Sequence, residues 1–157
     1  MHKLILSLIL LLLASCAHDP PIMEWDDHHI TYYVFSGDEK IVERAANEWS
    51  KKTGVNLVRV NDVAADIIYR QEQIERKGVL GFCVVGKKPV IIVVEPQKNK
   101  IFQYKVTLHE FGHALGLAHW PSELSIMYPS MDLTNYHKRN IGNASIRLVR
   151  HYFKLEE

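Results

Sequence analysis

The order of elements along this chain predicts an α+β fold: one twisted, mixed sheet of about five strands carrying three helices. Three observations lead there. Short β-branched runs alternate with two long helical patterns in the first two thirds of the chain. Two apolar runs, 80–85 and 90–95, flank Gly86-Lys87-Lys88-Pro89, as a hairpin would, so at least one strand pair is antiparallel. A third helical pattern closes the chain after an irregular stretch.

Each element has its own reason. Residues 30–35, Ile-Thr-Tyr-Tyr-Val-Phe, are β-branched and aromatic and predict a strand. Ser36 and Glu39 have the spacing of a capping box, opening a helix that runs to about Lys52 and stops at Gly54. Its apolar residues Ile41, Val42, Ala45, Ala46 and Trp49 keep helical spacing. Residues 55–60 and 66–70 predict two further strands, and the polar residues 71–78 a loop. Residues 101–115 predict the second helix, with Lys98, Lys100 and Lys105 on its solvated side. Residues 120–136 are irregular, and 144–154 predict the last helix, with Ile146, Val149, Tyr152 and Phe153 inward.

Composition narrows the function. A chain of 157 residues with 24% charged and 47% hydrophobic side chains fits one globular domain with a real core. Residues 1–15 hold Lys3 and an apolar run too short to span a bilayer, the form of a secretory signal peptide. Its removal brings the 19 basic residues level with the 18 acidic ones, so charge offers nothing to nucleic acid. Leu13-Ala14-Ser15-Cys16 resembles the bacterial lipobox. That resemblance implies lipidation of Cys16 and an exported protein, held by its N-terminal lipid on a bacterial membrane and facing away from the cytoplasm. In a two-membrane organism this would be the outer membrane. Residues 16–24, with Pro20-Pro21, then read as a tether, and 25–157 as the domain. Lipidation of Cys16 leaves Cys83 a free thiol. A monomer is expected.

The chemistry concentrates in residues 109–119, which read H-E-x-x-H-x-x-G-x-x-H. On a helix, His109 and His113 lie one turn apart on one face and can reach one metal ion. Gly116 can take a positive φ, end the helix and let the chain return with His119. Three imidazoles and an open position describe a catalytic zinc site. Glu110, beside the first ligand, is placed to act as general base on a water without binding the metal.

Eight residues after His119 stands Met127, in Ser125-Ile126-Met127-Tyr128-Pro129. A methionine turn after an extended zinc motif resembles the metzincin clan of zinc endopeptidases. The Met-Tyr-Pro form and short gap are similar to the matrixin family, the matrix metalloproteinase type. Trp25 with Ile30-Thr31-Tyr32, Trp49-Ser50, and Ala65-Asp66-Ile67-Ile68 extend the likeness over roughly residues 25–129. The resemblance implies a zincin, metzincin-like fold and a zinc-dependent endopeptidase acting on extended protein or peptide substrates. It implies that Met127 and Tyr128 support the ligands from a tight turn, Tyr128 as a structural residue or as a hydrogen-bond partner of an intermediate. It also makes Leu80, Gly81, Phe82 and Cys83 the sheet edge along which substrate lies. For Cys83 two readings stand: a small buried hydrophobe, or a thiol that reaches the metal.

The chain departs from that family in several places. The loop 71–78 is short and has no histidine, and Phe82 stands where a structural-zinc histidine is expected. One catalytic zinc is therefore expected, with no structural zinc or calcium. Met131 replaces a tyrosine frequent near the specificity pocket. The alternative function is a non-catalytic, zinc-dependent peptide-binding lipoprotein, which would have no need of Glu110 as a base.

Overall fold

A computed structural model describes residues 22–155; Cys16 and residues 1–15 lie outside that range. The order is β1 (His29–Val34), α1 (Glu39–Thr53), β2 (Asn56–Arg59), β3 (Ile67–Gln71), β4 (Gly81–Val84), β5 (Val90–Val94), α2 (Lys100–Ala114), a 3-10 turn (Tyr136–Lys138) and α3 (Asn143–Tyr152). The strands form one sheet in the order β2-β1-β3-β5-β4. The pairs β1–β2, β1–β3 and β3–β5 are parallel, and β4 runs antiparallel to β5 at the edge, so the sheet is mixed. The predicted α+β class, strand number and helix number all hold. Among the described residues no helix is long and apolar enough to cross a membrane.

The core lies where the sheet meets α1 and α2. Ile30, Tyr32 and Val34 alternate inward from β1, and Val42, Ala45, Ala46 and Trp49 form the buried stripe of α1. Tyr32 meets Phe111 of α2 edge to face at 5.9 Å. Trp49 is fully buried and its Nε1 donates to Leu108 O at 2.8 Å. That bond fixes α1 against the turn of α2 that carries the first histidine.

Several local expectations are corrected. Asp38, not a Ser36–Glu39 capping box, caps α1, its carboxylate accepting from Ile41 N. Ser36 Oγ is occupied with the backbone of Gln71 instead. Gly54 does end the helix, at φ 86. The edge strand is one residue shorter at each end than predicted. Lys105 is not on a solvated face: its Nζ donates to Arg139 O at 2.6 Å and lies 3.3 Å from Asn140 Oδ1. The last residues of the expected tether pack against the domain. Met23 is buried in the core, and Ile22 N donates to Gly116 O at 3.0 Å.

Candidate active site

Asn99 opens α2, its side chain accepting from Ile101 N and Phe102 N at 3.0 Å each. From Phe102 to Ala114 nearly every residue of α2 is buried, so the helix runs through the core rather than over it. It ends in a Schellman turn: Gly116 at φ 96, with Leu117 N donating to Gly112 O (3.0 Å) and Gly116 N to His113 O (2.9 Å). This turn reverses the chain and returns His119 to the helix face, as the glycine predicts. Trp25 Nε1 donates to Ala114 O at 2.9 Å and takes up another carbonyl of the same helix end.

His109, His113 and His119 converge, each offering a ring nitrogen within 4.8 Å of the others. His109 Nδ1 is 2.6 Å from Ile126 O, and His113 Nδ1 is 2.7 Å from Leu117 O. A carbonyl can only accept, so each Nδ1 carries the hydrogen and each Nε2 presents a bare lone pair. The Nε2 atoms converge: His113 Nε2 lies 3.1 Å from His109 Nε2 and 3.2 Å from His119 Nε2. Protonation does not relieve the crowding. Burial, and then the neighbouring His113, pushes His109 down to about 3. His113 and His119 are likewise lowered, first by burial. Neutral imidazoles aimed at a common point can hold a cation there, and three borderline nitrogen donors suit zinc. The two backbone carbonyls supply the outer hydrogen bonds that orient metal-binding imidazoles.

The methionine turn is built into this support. Ile126 N donates to Asn140 O (2.8 Å), Trp120 N to Met127 O (2.8 Å) and Met127 N to Ser125 Oγ (3.1 Å). Met127 is buried against Gly112, between the two helical histidines in sequence. A Cβ on Gly112 would lie 2.3 Å from Met127 Sδ and 3.1 Å from Trp49. That close approach packs Met127 tightly against α2 and disfavours a side chain at position 112.

A cleft of about 480 Å³ opens above these residues. Residues 78–83 and 128–131 line it together with His109, Glu110, His113, His119 and Ile22. Glu110 is 4% exposed; its Oε2 has no partner among the described residues, and burial pushes its carboxyl up to about 8. Its Oε1 lies against Gly81, where a Cβ would come within 2.7 Å. Leu80, Gly81 and Cys83 flank the site. Phe82 also lines the cleft but is 41% exposed. Cys83 is a half-buried free thiol packed against the core, pushed well above the ordinary range by burial and then by Glu110. It is not among the grouped ligand atoms, which favours the small-hydrophobe reading. Tyr128 also lines the cleft. Sequence reading missed Asn99, Ile22 and the buried Arg139. The last gives no signal in a basic His-Lys-Arg run.

The matrixin family model matches residues 92–153. That span covers β5 onward, with the three histidines, Glu110 and Met127. Two human proteins are similar to the chain. Matrix metalloproteinase-20 is 30% identical over 114 residues, which is 62% of this chain and 24% of that protein. Matrix metalloproteinase-26 is 24% identical over 159 residues, 85% of this chain and 61% of that protein. The chain thus spans less than two thirds of the length of either relative. The five-stranded mixed sheet with three helices fits the matrixin and metzincin fold.

Proposed function

We propose that the chain is a zinc-dependent endopeptidase of matrixin type that hydrolyses peptide bonds of extended polypeptides. The observation that carries this reading is the convergence of three imidazole Nε2 atoms beside a buried carboxylate, unpartnered among the described residues, in a cleft lined by an edge strand. When bound, zinc supplies Lewis-acid polarisation of a carbonyl and acidifies a water toward a pKa of roughly 7.

The chain's own residues supply the rest. His109, His113 and His119 hold the ion, the first two oriented through Nδ1 by Ile126 O and Leu117 O. Glu110, as carboxylate, accepts the proton of the attacking water at a carboxyl oxygen and delivers it to the leaving amine nitrogen. Burial alone raises Glu110, and a cation held by the three histidines would favour its ionised form. Among the described residues β4 has β5 on one side and an open edge on the other, so an extended substrate can add to it as a further strand. Tyr128 and the following residues line the same cleft.

A casein digest with and without a chelator tests this reading. Chelator-sensitive cleavage that disappears in Glu110→Gln supports it. Peptide capture without cleavage points to the non-catalytic alternative. Products from non-protein amides alone point to a different zinc hydrolase.

The proposal includes the anchor: Cys16 lipidated after removal of residues 1–15, holding the domain on a bacterial membrane and outside the cytoplasm. Cys16→Ser should move the protein from the membrane to the soluble fraction. Retention on the membrane contradicts the anchor and leaves the peptidase reading untouched.

A further inference from the structure

Arg139 is 2% exposed and makes no close ion pair among the described residues, though its charge reaches the exposed Asp132 carboxylate. Its guanidinium carbon lies 4.4 Å from the centroid of the Tyr128 ring. Its Nη2 donates to Ser130 O at 2.8 Å. Its Nε and Nη1 are buried and unpaired. Its backbone is held in turn, because Arg139 O accepts from Lys105 Nζ of α2. The guanidinium, itself not in the cleft lining, therefore stands behind residues 128–131, which line the cleft along with β4 residues.

Hydrogen-bonded ties to that wall are few, and Met131 at its end packs against the core. Tyr128 N donates to Ser125 O at 3.2 Å, and the next tie is the turn around Asp132. Among residues 129–131 of the described chain, the bond from Arg139 to Ser130 O is the one that fixes the backbone to the fold. A planar guanidinium can lie flat on a ring and donate in its own plane to a carbonyl, which a lysine cannot do at once. As a stabilising device the choice is poor. A buried cation with no close ion pair is worse for folding than an apolar side chain of similar reach. A fixed cleft wall is what it supplies.

We propose that Arg139 is a positioning residue for the cleft: its buried guanidinium braces Tyr128 and Ser130 from behind and sets how firmly an extended peptide is held against β4. The inference rests on the endopeptidase reading above and deepens it. Arg139 touches no reacting atom; it acts through the wall.

The test compares wild type, Arg139→Met and Arg139→Lys as full chains loaded with zinc. Steady-state kinetics on an extended fluorogenic peptide are measured with melting temperature and zinc content. In Arg139→Met, KM should rise about tenfold with kcat within about threefold, the mark of lost peptide positioning rather than lost chemistry. Zinc content should not change, and the melting temperature should hold or rise. Arg139→Lys should fall between the two in KM. An unchanged KM in Arg139→Met overturns the proposal. So does a parallel fall of melting temperature and kcat in both variants, which gives Arg139 a purely structural role. If wild type cleaves no peptide, the endopeptidase reading fails by itself. The brace is then read from the affinity of the same peptide for Glu110→Gln with and without Arg139→Met. Binding weakened about tenfold supports the brace, and equal affinity overturns it.

Discussion

Glu110 is a carboxyl group whose surroundings oppose its charge: it is 4% exposed, and Oε2 has no partner among the described residues. An acid kept there is destabilising unless something uses it. Replacing it separates binding from chemistry. Glu110→Gln keeps the size of the side chain and should keep zinc, while kcat for peptide cleavage falls by roughly 10²–10⁴; metal analysis alongside the assay checks both. The same residue sets a pH dependence in the chelated chain. Burial raises Glu110 from its ordinary 4.5 to about 8. Between those values the folded chain holds a proton that the unfolded chain has released, so stability falls as pH rises from about 4.5 to 8. Urea midpoints of chelated Glu110→Gln should therefore exceed those of wild type by a margin that grows up to about pH 8 and then stays level. His109 works in the other direction. It is lowered from 6.5 to about 3, chiefly by burial. Its contribution is fully present above about 6.5 and is lost as pH falls toward 3. Both proteins share this loss, so the difference between them isolates Glu110.

The helix α2 shows why one element can carry the whole metal site. It is capped at one end by Asn99, turned at the other by Gly116, and held in the middle by Trp49 through Leu108 O. Gly112 lets Met127 close against it. Gly112→Ala would favour the helix by up to about 1 kcal/mol. It would also force a Cβ to within 2.3 Å of Met127 Sδ beside a Trp49 that has no room to yield. Overpacking wins, with a net loss of about 1–2 kcal/mol and weaker zinc retention, readable from melting curves and a competitive chelator titration. Much of this element was legible in the sequence, because histidines four apart, a glycine three residues on and a third histidine leave few geometries. The caps were harder to read. Ser36 with Glu39 fits a capping box as well as Asp38 fits a cap, and Ser36 was already committed to Gln71 in a neighbouring strand. Lys105 reads as a surface lysine until residues 139 and 140 come back over it. Arg139 was invisible for the same reason: its role depends on a contact with residue 128 that no local pattern encodes.

At the scale of the molecule, the sheet supplies an edge and α2 supplies a metal site, and the loop of residues 128–131 lines the cleft along with that edge. Strand class and number were readable from β-branched runs and the apolar pair 80–95. The strand order was not, because three parallel pairings are made across α1 and long loops. The described residues gather one group of three or more candidate ligands, so one zinc per chain is the expected content of the purified protein. Two tightly held ions would show a site outside that group. The start of the described chain packs on the end of α2, with Ile22 bonded to Gly116 and Trp25 to Ala114. Deleting residues through Trp25 should therefore lower melting temperature and zinc affinity together, by about 1–3 kcal/mol in stability. The account turns on whether three converging imidazoles and one buried carboxylate make a peptidase. The most direct measurement is peptide cleavage by wild type and Glu110→Gln, each carrying one zinc, with and without a chelator. Cleavage by zinc-loaded wild type alone is the predicted result. Equal cleavage by Glu110→Gln, or cleavage that survives complete removal of zinc, would contradict it.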